Sequence, residues 1–167
     1  ERPADCIILG TGFIVDPRVY MKNFEVKGLG GRDLREDWQD HAESYYGTAT
    51  AGYPNLWQLV GPNSGLGHNS IIFMIESQVH YILESMKLLR KKNAAYMDVK
   101  PSVQHKFNDN LQRRIKSSVW GTGCQSWYQD EHGRNFTVWP KSTWKFWLET
   151  LRVKAGDYRF YPARQPQ

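Results

Sequence analysis

The densest run of residues able to do chemistry is Gly61-Pro62-Asn63-Ser64-Gly65-Leu66-Gly67-His68-Asn69-Ser70, set between a short apolar stretch and a long helical pattern. A glycine-rich turn that opens a helix aims several backbone N–H groups and the positive end of the helix dipole at one point, which suits a phosphate or an electron-rich carbonyl. The run is neither the six-residue dinucleotide fingerprint nor a P-loop, because no lysine follows its last glycine. A tight structural turn accounts for the same spacing equally well. His68 and Asn69 lie at its mouth, where an imidazole or an amide can meet a cofactor or simply cap the helix. A second run, Trp120-Gly121-Thr122-Gly123-Cys124-Gln125-Ser126-Trp127-Tyr128, joins glycine flexibility to aromatic planes. That composition fits a loop closing over a flat ligand, or a packed aromatic corner. Cys124 has no histidine fixed beside it and Ser126 lacks the flanking glycines of a nucleophile elbow. His41, His80, His105 and His132 are spread without metal-ligand spacing, so no metal is expected, and no residue of this chain is assigned a catalytic role.

The elements that must position these runs are partly legible. Cys6-Ile7-Ile8-Leu9, between Asp5 and Gly10-Thr11-Gly12, reads as a buried parallel strand. From Asp16 to Tyr53 glycine is frequent and periodicity poor, which predicts irregular structure with a short helix over 33–42. Leu56-Trp57-Gln58-Leu59-Val60 reads as a second short strand. Ile71, Ile75, Val79, Ile82, Met86 and Leu89 recur at spacings of three and four, predicting a helix of about six turns capped by Asn69 or Ser70. Pro101 and Ser102 open another with Val103, Phe107, Leu111 and Ile115 on one face, and 142–153 reads as a third. Residues 135–139 alternate like a strand, residues 158–161 read as one more, and the Pro- and Gln-containing tail reads as frayed.

The 167-residue chain fits one ordinary domain, short for an enzyme that must hold two dinucleotides. Its 7 Trp and 9 Tyr exceed what a generic domain of this size carries, which points to large packed surfaces or a site for flat ligands. Only two cysteines occur, far apart, which excludes a disulfide framework and a Cys-x-x-Cys zinc site and suits a reducing, cytoplasmic location. No run approaches the roughly 20 apolar residues that span a bilayer, and the first residues do not form a signal peptide. The net charge of +5 is scattered. Its clusters Arg90-Lys91-Lys92 and Arg113-Arg114 read as helix ends complementing the macrodipole rather than as a nucleic-acid surface.

Taken together, these stretches resemble the end of the class B flavoprotein monooxygenases, the Baeyer–Villiger and flavin-containing monooxygenase group. Asp5-Cys-Ile-Ile-Leu-Gly-Thr-Gly-Phe13 is similar to the family's strand ending in Ala-Thr-Gly-Phe, with Gly10 in place of the alanine. Gly52-Tyr53-Pro54-Asn55-Leu56-Trp57 follows its Gly-Phe-Pro-Asn-Leu-Phe pattern, and residues 61–70 resemble its final FAD-domain turn. The helix through Glu76 and Gln78 continues the match, and residues 120–128 with Gly133-Arg134-Asn135 and Trp139-Pro140 resemble the Baeyer–Villiger branch.

The resemblance implies an α/β fragment: the carboxy-terminal portion of a flavoprotein with two dinucleotide-binding domains, containing parallel-sheet remnants, a long core helix and a helical carboxy-terminal region. Its sections are expected at 1–15 (the junction of the NADPH and FAD domains), 16–53 (a connecting region), 54–95 (the end of the FAD domain) and 96–167 (a helical and aromatic extension). It implies FAD and NADPH as cofactors of the parent, O2 and a small organic substrate, and insertion of one oxygen into a ketone or a soft heteroatom. Gly61, Pro62, Asn63, Leu66, Gly67, His68 and Asn69 are then expected to face the flavin, and Trp120, Gly121 and Gly123 to lie near NADPH or substrate. Both glycine-rich dinucleotide fingerprints and the family's catalytic arginine are absent from this sequence, so neither cofactor is expected to bind the segment tightly and the segment alone is expected to be inactive. A strand at 5–9 without partners is expected to pair with a second copy in a homodimer. The competing readings are a freestanding basic and aromatic module for a protein or nucleic-acid partner, and a thiol or serine hydrolase, which lacks an assembled triad.

Overall fold

The structure, a computed structural model, describes residues 2–10, 15–23, 25–121 and 126–162. Its elements are α1 (Pro17–Tyr20), α2 (Leu34–Asp37), α3 (Ile71–Lys91), β1 (Ala94–Val99), α4 (Pro101–Lys116), α5 (Thr143–Thr150) and β2 (Tyr158–Pro162). β1 and β2 form an antiparallel pair in which Val99 faces Tyr158 and Met97 faces Phe160. Helix α3 packs on α5 and β1, and the main core gathers Tyr45, Tyr46, Met74, Tyr81, Met97, Val99, Leu111, Trp139, Phe146 and Tyr158. A smaller core of Met21, Leu34, Trp38, Ala42 and Tyr53 holds the glycine-rich region of the first third.

Local chemistry sets the ends of these elements. Ser70 is the N-cap of α3, and Arg90 and Lys91 occupy its last turn, where cations meet the negative end of the dipole. Pro101 starts α4, needing no N–H at a position where the helix offers no acceptor, and Arg113 and Arg114 lie in its last turn. Leu111 and Ile115 are buried while Val103 and Phe107 pack at the core's edge, as the spacing predicts. The Ser142 hydroxyl accepts from Lys145 N–H and opens α5, which ends at Thr150 rather than near 153. The strand expected at 158–161 is β2. The helix expected over 33–42 is one turn, α2, capped by the Asp33 carboxylate.

Several expectations are corrected. Residues 6–9 form no strand: Ile8 is 91% exposed, and among the described residues nothing pairs with this stretch. A short apolar run becomes a strand only where neighbours supply both ladder partners and a cover, and among the described residues neither is present. Residues 56–60 likewise form no ladder. Trp57 makes one isolated bridge with Ala49, and Val60 turns the chain at φ 56°. The expected parallel-sheet remnant therefore reduces, among the described residues, to a single parallel bridge between Gly65 and Val138. Residues 135–139 carry isolated bridges only. The strand that forms without having been expected, β1, contains two alanines and a buried aspartate, a composition that hides it.

The apolar stripe read along α3 is not the face that α3 buries. The buried residues are Met74, Ser77, Gln78, Tyr81 and Ser85. Ser77 and Ser85 return their hydroxyl protons to the carbonyls four residues earlier, at 2.8 Å each, and Tyr81 shares a 2.8 Å hydrogen bond with Tyr158. This face is polar by residue type yet satisfied atom by atom, which is the condition for burying it. No helix among the described residues is long and apolar enough to cross a membrane.

Candidate functional site

The turn of residues 61–70 divides into a buried half and an exposed half. Pro62, Asn63, Ser64 and Gly65 are buried, whereas Gly67, His68, Asn69 and Ser70 are exposed and Leu66 lies between. The buried half is pinned from three sides. Gly65 N–H donates to Thr137 O and Trp139 N–H donates to Gly65 O, each at 2.8 Å. Asn63, in the left-handed region at φ 57°, gives its backbone N–H to Phe136 O and its side-chain amide to Asn135 O and Val138 O. Asparagine tolerates that conformation better than any branched residue. The Ser64 hydroxyl closes the loop on Gly61 O at 2.7 Å.

Gln78 provides the third fastening. Its amide nitrogen donates to Tyr46 O and Gly47 O, both at 3.0 Å, and its oxygen accepts from Val60 N–H at 2.9 Å. One fully buried side chain on α3 thus ties the 46–47 corner to the strained Val60 corner that leads into the turn. Gly47 sits at φ 62°, and a Cβ there would lie 2.2 Å from the Ser64 hydroxyl, so the corner admits glycine alone. Burial pushes the neighbouring Tyr46 phenol up to about 12, keeping it neutral beside this network.

The exposed half leads straight into α3. Asn69 accepts from Ser70 N–H at 2.7 Å and donates to the Thr143 hydroxyl at 3.2 Å, while Ser70 makes no side-chain capping bond. Among the described residues, the backbone N–H groups of Leu66, Gly67, His68 and Asn69 have no acceptor. A run of such donors beside the amino end of a 21-residue helix has the chemistry to receive an anion or an electron-rich carbonyl.

The two sets of residues singled out in the sequence meet here. Trp120 lies against the turn so closely that a Cβ on Gly67 would fall 2.4 Å from its ring, and its ring centroid is 6.4 Å from that of His68. Tyr128 packs edge-on to Trp120 at 5.5 Å. Gly121 abuts the end of α4, where a Cβ would meet Ile115 O at 2.4 Å. Gly123 and Cys124 lie outside the described residues, as do residues 11–14 and the tail 163–167. Gly61, Pro62 and Asn63 are brought together with the turn but serve as its buried support, while Leu66 to Asn69 form its open edge. Among the described residues no group of histidines, cysteines and carboxylates could hold a metal ion.

The supporting roles of two residues, named in the sequence only as part of the family match, escape sequence reasoning. That of Gln78 is hidden because the helix was read from its apolar positions. That of Asn135 is hidden because it is a turn: its Oδ1 accepts from Thr137 and Val138 N–H while its Nδ2 reaches Trp120 O. The Gly-Arg-Asn triplet at 133–135 was the available signal.

No protein-family model matches the chain. A Baeyer–Villiger monooxygenase of Pseudomonas aeruginosa is 46% identical over 160 residues, which cover 95% of this chain and 30% of that protein. A Baeyer–Villiger monooxygenase of Streptomyces coelicolor is 41% identical over 161 residues, covering 95% of the chain and 31% of the relative. The chain is a carboxy-terminal section of the class B flavoprotein monooxygenase family. It spans about 30% of the length of the curated relatives it matches. The class B fold is independently visible in solved structures. An oxidized steroid monooxygenase bound to NADP superposes with a TM-score of 0.73 over 83% of this chain and 27% of that one, at 22% identity. Cyclohexanone monooxygenase from Rhodococcus sp. Phi1 bound to NADP+ does so with a TM-score of 0.72 over 87% of this chain and 28% of its own, at 17% identity.

Proposed function

We propose that this class B section supplies the flavin-facing turn of an FAD- and NADPH-dependent monooxygenase that places one oxygen atom of O2 into a ketone or a soft heteroatom. The observation that carries the reading is the exposed run Leu66 to Asn69. Its four N–H groups without acceptors adjoin the uncapped start of α3, on a support pinned by Asn63 and Gln78. These residues fit the electron-rich edge of an isoalloxazine ring, which needs donors; Gly67 leaves room for the Trp120 ring that lies against the turn. When bound, FAD reduced by NADPH supplies the dioxygen chemistry. The chain's part is positional and electrostatic. The N–H groups of residues 66–69 and the amino end of α3 stabilise negative charge gathering on the ring, and they do so without reorganising because the buried half of the turn is fixed. Trp120, seated on Gly67 and His68, covers one side of the open edge, and with Gly121 it marks the side on which nicotinamide or substrate approaches.

The sequence relatives are named for this activity, and the structures that share the fold include forms bound to NADP. The segment by itself is inactive in this reading, since among its described residues no glycine-rich phosphate loop exists for either dinucleotide. The test is the full-length protein: a yellow flavoprotein whose NADPH consumption rises with a cyclic ketone or a thioether, giving a product one oxygen heavier. Flavin absorbance and reduction rate unaltered by Gly67→Ala and Asn69→Ala would remove the turn from the proposed role. A colourless full-length protein without NADPH-dependent oxygenation would remove the reading itself.

A further inference from the structure

We propose that the outward face of α3 is the surface on which the remaining part of the monooxygenase chain packs. This rests on the reading of the chain as one section of a longer enzyme. The observation is a helix with two unlike faces. Along α3 the face turned into the core carries Met74, Ser77, Gln78, Tyr81 and Ser85, three of the five polar and without an aromatic ring, while Ile72, Val79, Leu83 and Met86 point outward. Spacings of seven, four and three put those four on one line along the helix, and Ile75 and Ile82 lie half-exposed on its shoulder. Ile72 is 59% and Leu83 52% exposed.

A surface helix of a self-contained domain turns such a stripe inward; α3 keeps Ile71, Met74, Tyr81 and Leu89 on the core side but leaves this second aliphatic line outside. Scattered exposed leucines need no explanation, but an aligned stripe of this length does. Glu76, Glu84, Lys87 and Arg90 border it, giving an apolar centre with a charged rim, the anatomy of a surface made to be covered. The occupant is the rest of the same chain rather than a second copy or a ligand. More than two thirds of each matching relative lies outside this segment, so a covering of ample size is already tethered to it. The stripe is also a ridge on a helix, a convex shape that suits a packed surface more than a small molecule. The same chain leaves Ile7, Ile8 and Leu9 open, a second apolar stretch with nothing over it among the described residues. Because α3 begins at the flavin-facing turn, this packing would couple the placement of residues 66–70 to the body of the flavin domain.

Hydroxyl-radical footprinting of the purified full-length protein tests the proposal without altering it. Oxidation of Met86 and Leu83, normalised to the same protein unfolded in urea, is expected to be suppressed roughly ten-fold or more at every protein concentration. Oxidation near the unfolded rate would show the face bare and overturn the proposal. Suppression that vanishes on dilution would assign the face to a second copy and overturn it as well. Flavin absorbance of the same sample reports separately on the function. Protection without flavin keeps the packing surface and removes the proposed activity; flavin without protection does the opposite.

Discussion

The two faces of α3 differ more sharply than any other pair of regions in this chain. Besides Met74, the inner face is built from hydroxyls, an amide and a phenol, and each polar group has its partner: Ser77 and Ser85 on their own helix, Gln78 on three backbone groups, Tyr81 on Tyr158. The outer face is aliphatic and bare. What the difference teaches is that apolar character marks burial in the whole enzyme and says nothing about which neighbour does the burying. The polar inner face fixes two loops by hydrogen bonds; in the packing proposed for α3 the outer face supplies adhesion.

That division can be broken or sharpened by substitution in the full-length protein. The largest effect is expected for Leu83→Asp. On a covered face an unpaired carboxylate should cost about 3–5 kcal/mol and lower the denaturation midpoint in urea, whereas on a bare helix face the change should stay within about 0.5 kcal/mol. Gln78→Leu comes next, stranding Val60 N–H while Tyr46 O keeps the Thr48 hydroxyl and Gly47 O keeps Gly61 N–H; a loss of about 1–3 kcal/mol by urea unfolding is expected, with altered flavin absorbance. A loss equal to that of an ordinary surface change would show the clamp to be unimportant. Gly67→Ala displaces the Trp120 ring at a cost of roughly 1–3 kcal/mol, and should change flavin reduction, read by stopped flow, more than it changes stability.

A smaller effect concerns pH. Hydrogen bonds from Arg35 and Lys27 hold the Asp33 carboxyl well below its ordinary 3.8. A group depressed in the folded state contributes stability above its unfolded value and loses it as pH falls toward the folded one. Wild-type Tm should therefore drop with acidification below about pH 4, and Asp33→Asn should flatten that limb while lowering Tm at neutral pH. The smallest effect is Lys87→Ala. Its contact with Glu84 is solvent-exposed, and no measurable shift in Tm is expected.

How much of this was legible follows the same physics. The existence and start of α3, the proline-opened α4 and the serine-capped α5 were readable because caps and proline act locally. The turn of 61–70 was readable as a donor-rich opening for the same reason; its assignment to the flavin rests on the family resemblance and remains a proposal. The strands at 6–9 and 56–60 were misread because a strand needs partners that a local apolar run cannot supply. β1 was missed because Ala94, Ala95 and Asp98 satisfy it through tertiary bonds, Asp98 accepting from Gly52 N–H at 2.8 Å. The meeting of Trp120 with Gly67 and His68 spans more than fifty residues of chain, and nothing in either run announced it.

The central claim, that the open half of the turn faces the flavin, is tested most directly by amide hydrogen exchange in the full-length protein with FAD bound and with FAD removed. The account predicts that FAD slows exchange in peptides covering residues 66–73 while peptides covering the outer surface of α4 are unaffected. Equal exchange of residues 66–73 in the two forms would contradict it.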